Sequence, residues 1–282
     1  MSLIENHSIH RKTIDWPSFK QQVDNKAQGA QTIADTYPAI QLALTLLGDN
    51  YSSYMTASGT VLIGERTVHC TDSAPTEVPA NSNIGYVKIT SFSEGGASAV
   101  NFAQSIQTII KQADTDSIRG WIVDLRGNLG GNMWPMLAGV DPILGDGIVG
   151  YFVDPDRTTS PWSNEAGMAK AGQNVLTKVE TPYTLRKANP KVAVLTNLAA
   201  ASSGEAIAIA FKGRPNTRSF GTPTCGLSTG NVGFKLSNSA NLTLTEVTMA
   251  DRTKTPYGKS IQPDDASYSS TAVDRAIAWL LQ

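Results

Sequence analysis

Lys191-Val192-Ala193-Val194-Leu195-Thr196-Asn197-Leu198-Ala199-Ala200-Ala201-Ser202-Ser203 is followed at once by Gly204, Glu205 and the apolar run Ala206 to Phe211. Unbroken apolar character over Val192 to Leu195 marks a strand covered on both faces, and such strands belong to parallel sheets flanked by helices. The strand therefore delivers two serines to the start of a helix. The first N–H groups of a helix have no internal partner and carry positive partial charge, so a hydroxyl held there lies beside a ready anion site. Acyl transfer needs that pairing of nucleophile and oxyanion donors. A plain helix cap, with Ser202 or Ser203 answered by Glu205, fits the same residues.

Reading outward, the same alternation recurs. Ile84 to Ile89 reads as a strand, and Ala99, Phe102, Ala103, Ile106, Ile110 and Ala113 form one face of a helix. Gly120 to Leu125 is a second buried strand, ending in the Gly-rich run Arg126-Gly127-Asn128-Leu129-Gly130-Gly131 before another helix. This predicts an α/β core with a largely parallel sheet, whose sites lie at the carboxyl ends of its strands. Upstream, residues 13–49 carry two helical pieces, opened by Asp15-Trp16-Pro17 and Thr36-Tyr37-Pro38 and closed by Gly48. Residues 51–83 read as short strands and a polar connection containing Pro75, Pro79 and Asn81. The chain is thus divided into an N-terminal helical subdomain with its connection, 1–82, and a core domain, 83–282. Tyr151 to Tyr183 reads as a long loop able to cover a site, Gly233 to Leu236 and Asn241 to Val247 as antiparallel strands, and Asp274 to Leu281 as a closing helix.

Composition excludes several function classes. With 282 residues, 17% of them charged, and a net charge of -1, the chain has no basic footprint for nucleic acid or anionic lipid. Its apolar runs are far shorter than the ~20 residues that cross a bilayer, and Met1 to His7 lacks the basic and apolar regions of a signal peptide. Cys70 and Cys225, far apart in sequence, are expected to be free or buried thiols. His7 and His10 are expected at the surface. His69, beside Cys70 in a strand-like segment, would point away from it.

Five segments in order carry a resemblance. They are Tyr86-Val87-Lys88-Ile89 with Phe92, Asp124-Leu125-Arg126-Gly127-Asn128-Leu129-Gly130-Gly131, Ala201-Ser202-Ser203-Gly204-Glu205, Gly221-Thr222-Pro223-Thr224-Cys225-Gly226 and Ile261-Gln262-Pro263-Asp264. Together they are similar to serine peptidase family forty-one, the C-terminal processing or tail-specific proteases with their tricorn-core-like branch. The resemblance implies a Clp protease/crotonase-like β/α spiral core. It implies Ser202 as nucleophile, Ser203 being the competing choice, with oxyanion donors at the N–H groups of Ser203 and Gly130. It also implies a peptide or protein substrate and no cofactor, and relatives are often extracytoplasmic.

The family's bases are where the chain departs. The lysine of the processing-protease branch falls on Leu227, and Lys212 and Lys235 read as solvated charges. The tricorn-like branch takes a His from a Leu-x-Asp-x-His-Ser motif; here Leu47-Gly48-Asp49-Asn50-Tyr51-Ser52 matches except that Tyr51 stands for His. A tyrosine, with an ordinary pKa near ~10, is a poor general base at neutral pH. Only residues 52–83 separate the helical part from the core, so no PDZ module is expected there. Two readings follow: a serine peptidase, its activity impaired by Tyr51, or a weak or inactive protein that binds peptides or a small ligand in the same cleft. Crotonase-type chemistry on an acyl thioester finds no CoA-binding feature to support it.

Overall fold

The computed structural model describes residues 2–72 and 78–282, and residues 73–77 of the expected connection, Pro75 among them, lie outside the described residues. Two compact units emerge: Met1–His69 with Val153–Thr158 and Thr229–Thr248, and Cys70–Phe152 with Thr159–Ser228 and Met249–Gln282. Val153–Thr158 and Thr229–Thr248 thus group with the N-terminal segment, whereas Met249–Gln282 groups with the sheet-bearing unit. The strand Ser53–Met55 pairs antiparallel with Val61–Ile63 on one side and with Asn241–Asp251 on the other, and Thr229–Lys235 pairs with Asn241–Asp251. Leu242 and Leu244 then share a core with Phe19, Leu44, Leu47, Tyr54 and Leu62. The helices begin as their sequence implies. Asp15 caps Trp16–Ala27 by accepting from Ser18 N at 3.2 Å, and Pro38 opens the first turn of Tyr37–Leu46. A short helix, Ser2–His7, precedes them.

The second unit holds a five-stranded sheet in the order Asp265–Ala266, Thr217–Gly221, Val192–Thr196, Gly120–Asp124, Ile84–Lys88. Every neighbouring pair is parallel. Each strand is added beside the previous one in sequence, so the chain advances in one direction across the sheet. The near-continuous apolar strands have a two-sided explanation. Trp121, Val123, Leu125, Val192 and Val194 face a core shared with helices Gly96–Ala113, Met133–Leu144 and Ser203–Phe211. The alternate residues Ile122, Ala193 and Leu195 face Ala272, Val273, Ala276 and Leu280 of the closing helix Ser269–Leu281. Period-two alternation thus buries both faces of one sheet.

The expected loop from Tyr151 to Tyr183 is instead an antiparallel meander of Thr159–Glu165, Met168–Ala171 and Asn174–Lys178. Alternation decided it: Trp162 and Asn164 are buried on the first strand, and Ala169 and Thr177 on the next two. The helix Met133–Leu144 is tied to this meander by polar bonds. Asn164 Nδ2 donates to Leu137 O at 2.9 Å, and Gly167 N to Asp141 Oδ2 at 2.7 Å. Among the described residues, no helix is long and apolar enough to cross a membrane.

Burial raises the Asp141 carboxyl to about 6, with Asp146 adding to the shift and the Gly167 N–H opposing it. The native state therefore favours the proton, and this advantage, complete below the unfolded value near 3.8, is lost as pH rises through about 6. Replacing Asp141 with Asn removes that loss. The stability of the variant relative to the parent is expected to rise by about 2 kcal/mol between pH 4 and pH 7.5 in urea denaturation. A difference that stays flat across that range contradicts the assignment.

Candidate active site

Three turns converge at the carboxyl ends of the parallel strands. The turn after Gly120–Asp124 is fixed from beneath by a fully buried ion pair. Arg126 Nε donates to Asp124 Oδ1 at 2.9 Å and Arg126 Nη2 to Asp124 Oδ2 at 2.7 Å. The Tyr86 hydroxyl donates to the same carboxylate at 2.9 Å, and burial followed by that negative charge pushes its pKa upward, so it stays a donor. Beyond the pair, Asn128 shapes the Gly-rich run. Its Nδ2 donates to Ile89 O at 3.0 Å, and its Oδ1 accepts from Gly130 N at 2.9 Å. Leu129 N donates to Ser91 Oγ at 2.8 Å and Phe92 N to Gly130 O at 3.1 Å, which draws in the turn after Ile84–Lys88.

The turn after Val192–Thr196 docks onto this frame. Gly127 N donates to Asn197 Oδ1 at 3.0 Å, and Ala201 N to Asn128 O at 2.9 Å. The approach is close enough to demand glycine at two positions. A Cβ on Gly130, at φ +101°, would stand 2.8 Å from Ser203 N and 2.9 Å from Ser202 Cβ, and one on Gly204 would stand 2.2 Å from Asn128 O. Ser202 itself adopts φ 52°, ψ −117°, a conformation that non-glycine residues rarely take and that costs of order 1–3 kcal/mol.

Glu205 holds that strained turn. Fully buried on the first turn of its helix, it accepts four hydrogen bonds: from Ser202 N at 3.0 Å, Thr224 Oγ1 at 2.6 Å, Gly226 N at 2.9 Å and Leu227 N at 2.7 Å. Burial pushes its pKa up, while the four donated bonds work the other way. Thr224 Oγ1 accepts from Ile261 N at 2.8 Å, which commits its proton to Glu205. A carboxylate surrounded by four donors acts as an anion clamp.

The two serines are placed differently. Ser203 Oγ donates to Gly131 O at 2.6 Å, while Ser202, 7% exposed at the strained turn, forms the capping box read from the sequence, its side chain accepting from the Glu205 N–H and the Glu205 carboxylate from the Ser202 N–H. The Gly130 N–H expected as an oxyanion donor is spent on Asn128 Oδ1, a local bond that spacing alone does not reveal. Ser203 N sits at the first helical position, where no intrahelical acceptor exists. Tyr51 belongs to the other unit. There the motif turn is held by Asp49, whose Oδ1 accepts from Tyr51 N at 2.8 Å and Ser52 N at 2.7 Å and whose Oδ2 accepts from Ser52 Oγ at 2.7 Å. Thr245 Oγ1 adds a further bond to Asp49 Oδ1 at 2.9 Å.

Several expectations change. Cys70 and Cys225 form a disulfide instead of two thiols, their Cα atoms 5.2 Å apart, because the fold returns residue 225 to the connection despite their separation in sequence. His69 is exposed and lies outside any strand. His7 and His10 are half-buried and engaged, with Glu246 Oε1 at 2.7 Å and Leu47 O at 2.8 Å. Lys212 is not solvated: its ammonium donates to Asp264 Oδ1 at 2.8 Å and Ser219 Oγ at 3.0 Å, on the wall of a cavity of about 310 Å³. Among the described residues, no cluster of three or more His, Cys, Asp or Glu is placed to hold a metal.

The sequence pattern of Peptidase family S41 matches residues 83–267. The chain belongs to this family. It is 28% identical over 267 residues to the nisin-resistance protein of Lactococcus lactis subsp. lactis, covering 94% of this chain and 80% of that one. Among solved structures, a lipoprotein from Streptococcus agalactiae superposes with a TM-score of 0.76 at 24% identity, covering 99% of this chain and 93% of the other. The photosystem II D1 C-terminal processing protease follows at 0.61 and 14% identity, covering 97% and 94%. The family, the mixed α/β architecture with its parallel sheet and the N-terminal helices are those read from the sequence.

The buried pair beneath the Gly-rich turn gives the site its footing. Arg126→Met strands the Asp124 charge in the interior and is expected to destabilise the protein by about 3–5 kcal/mol in urea denaturation. A loss under about 1 kcal/mol would show that the pair is dispensable.

Proposed function

We propose that this S41 chain is a serine peptidase in which Ser202 Oγ attacks the peptide carbonyl carbon. The reading rests on the place of Ser202, in a strained turn at the mouth of a helix and against Gly130, with the Ser203 N–H at the first helical position beside it. Attack forms the Oγ–C bond and a tetrahedral oxyanion. The Ser203 N–H, reinforced by the positive end of its helix, stabilises that charge. Gly130 N–H becomes the second donor only by leaving Asn128 Oδ1. Collapse breaks the C–N bond, the amine leaves with the proton taken from Ser202, and water then hydrolyses the acyl-enzyme. In the sequence Tyr51 fills the slot of the family's histidine, and the proton falls to Tyr51 or to another base.

The substrate in this reading is a peptide with apolar side chains. Leu129 and Leu198, 53% and 39% exposed, stand on the two turns that frame Ser202. The name of the Lactococcus relative makes nisin the first substrate to test. A second reading, a peptide-binding protein with little turnover, is favoured by the tyrosine at 51, since an ordinary phenol is a weak base at neutral pH.

Cleavage of nisin and of peptides with apolar residues, followed by mass spectrometry, separates these readings. Ser202→Ala is expected to lower the rate at least about 100-fold, and Ser203→Ala less than about 10-fold. Binding without cleavage by the parent, with cleavage restored in Tyr51→His, supports the second reading. Loss of cleavage in Ser203→Ala with retention in Ser202→Ala overturns the assignment.

A further inference from the structure

The disulfide and the Glu205 clamp are neighbours in the fold. Cys225 is flanked by the three groups that grip Glu205 from outside its own helix: Thr224 Oγ1 on one side, Gly226 N and Leu227 N on the other. Glu205 passes that grip to Ser202 through the Ser202 N–H. Hydrogen bonds also hold the loop to its surroundings, among them Cys225 N to Ala200 O at 2.9 Å, Thr224 N to Ile261 O at 3.1 Å and Ser260 Oγ to Thr224 O at 2.6 Å. Gly226, at φ +104°, lets two successive N–H groups converge on one carboxylate. Leu227 fills the slot where the processing branch has its lysine, so here this loop supplies backbone donors.

We infer that Glu205 is a positioning residue for Ser202, and that the Cys70–Cys225 disulfide keeps its clamp assembled, so that reduction of this one bond lowers the reactivity of the nucleophile. The inference rests on the reading of Ser202 as nucleophile. Its chemistry is thiol–disulfide exchange. A dithiol supplies two electrons and two protons, the S–S bond breaks, two cysteine thiols form and the dithiol becomes a cyclic disulfide. Cys70 is half-buried and Cys225 is 5% exposed. Loss of the tether loosens the loop at Cys225, between its remaining anchors, so that the adjoining Gly226 and Leu227 N–H groups spend less time on the carboxylate and a buried anion short of donors holds the strained Ser202 turn less firmly. A disulfide that supports the site also matches a protein working in an oxidising environment.

The test reads the clamp separately from catalysis. Amide hydrogen exchange is followed in the whole protein, oxidised, reduced with dithiothreitol, and as the Cys70→Ser/Cys225→Ser variant. In the latter two, the amides of Ser202, Gly226 and Leu227 are expected to exchange at least about 10-fold faster, with those of Ile122 and Val194 in the central strands unchanged. In parallel, kcat for a cleaved peptide is expected to fall at least about 10-fold on reduction and in Glu205→Gln, with KM within about 2-fold, and the double serine variant to be insensitive to dithiothreitol. Unchanged exchange at Ser202, Gly226 and Leu227 on reduction overturns the inference, whatever the activity. A parent protein that never cleaves peptide, yet loses protection at those three amides on reduction, leaves the clamp standing and overturns the peptidase reading instead. Glu205→Gln with unchanged kcat overturns the positioning role.

Discussion

Two backbone turns meet at the limit of van der Waals approach, and the remainder of the core domain keeps them there. The carbonyl of Asn128 and the helix start at Gly204 come so close that a methyl group at 204 would overlap it, and Gly130 lies against Ser202 and Ser203 with no room for a side chain. Each turn ends a strand, and the strands are parallel neighbours, so the sheet register sets the meeting point: Asp124 pairs with Leu195, and Leu125 N donates to Leu195 O at 3.0 Å. The sheet thus fixes where the turns begin, and glycine decides how near they can come.

Holding this contact requires polar chemistry in a dry interior. The Asp124–Arg126 pair stiffens the first turn and Glu205 the second, both fully buried and both fitted with hydrogen bonds to nearly every available atom. Such groups contribute little net stability, because removing them from water costs about what their pairing returns. Their effect is geometric. They leave one arrangement of Gly130, Ser202 and Ser203, and the strain at Ser202 persists only because four donors hold the carboxylate beneath it.

Much of the fold was legible in the sequence because burial leaves a period. Apolar strands at 84, 120 and 191 were read from nearly unbroken apolar runs, and the helix face from Ala99 to Ala113 from its helical spacing. The meander of residues 159–178 was not legible, because Pro161, Ser163 and Gly167 suggest a loop while the burial of Trp162 and Asn164 follows from long-range packing. The pairing of Ser53–Met55 with Asn241–Asp251 likewise joins distant segments, and no local signal records it. At the site, the five serial motifs pointed to Ser202, Ser203 and Gly130. The Cys70–Cys225 link, the bond that occupies Gly130 N and the roles of Thr224 and Leu227 became visible only when the loops were in place. Cys225 inside Gly221 to Gly226 was the one available hint, and sequence separation concealed its partner.

The central claim is that the strained turn presents one particular hydroxyl. Covalent labelling with a fluorophosphonate, followed by peptide mapping of the oxidised protein and of its Tyr51→His form, addresses it directly. The account predicts a single adduct on Ser202 Oγ in at least one of the two forms and none on Ser203. An adduct on Ser203, or none on either serine in both folded forms, contradicts it.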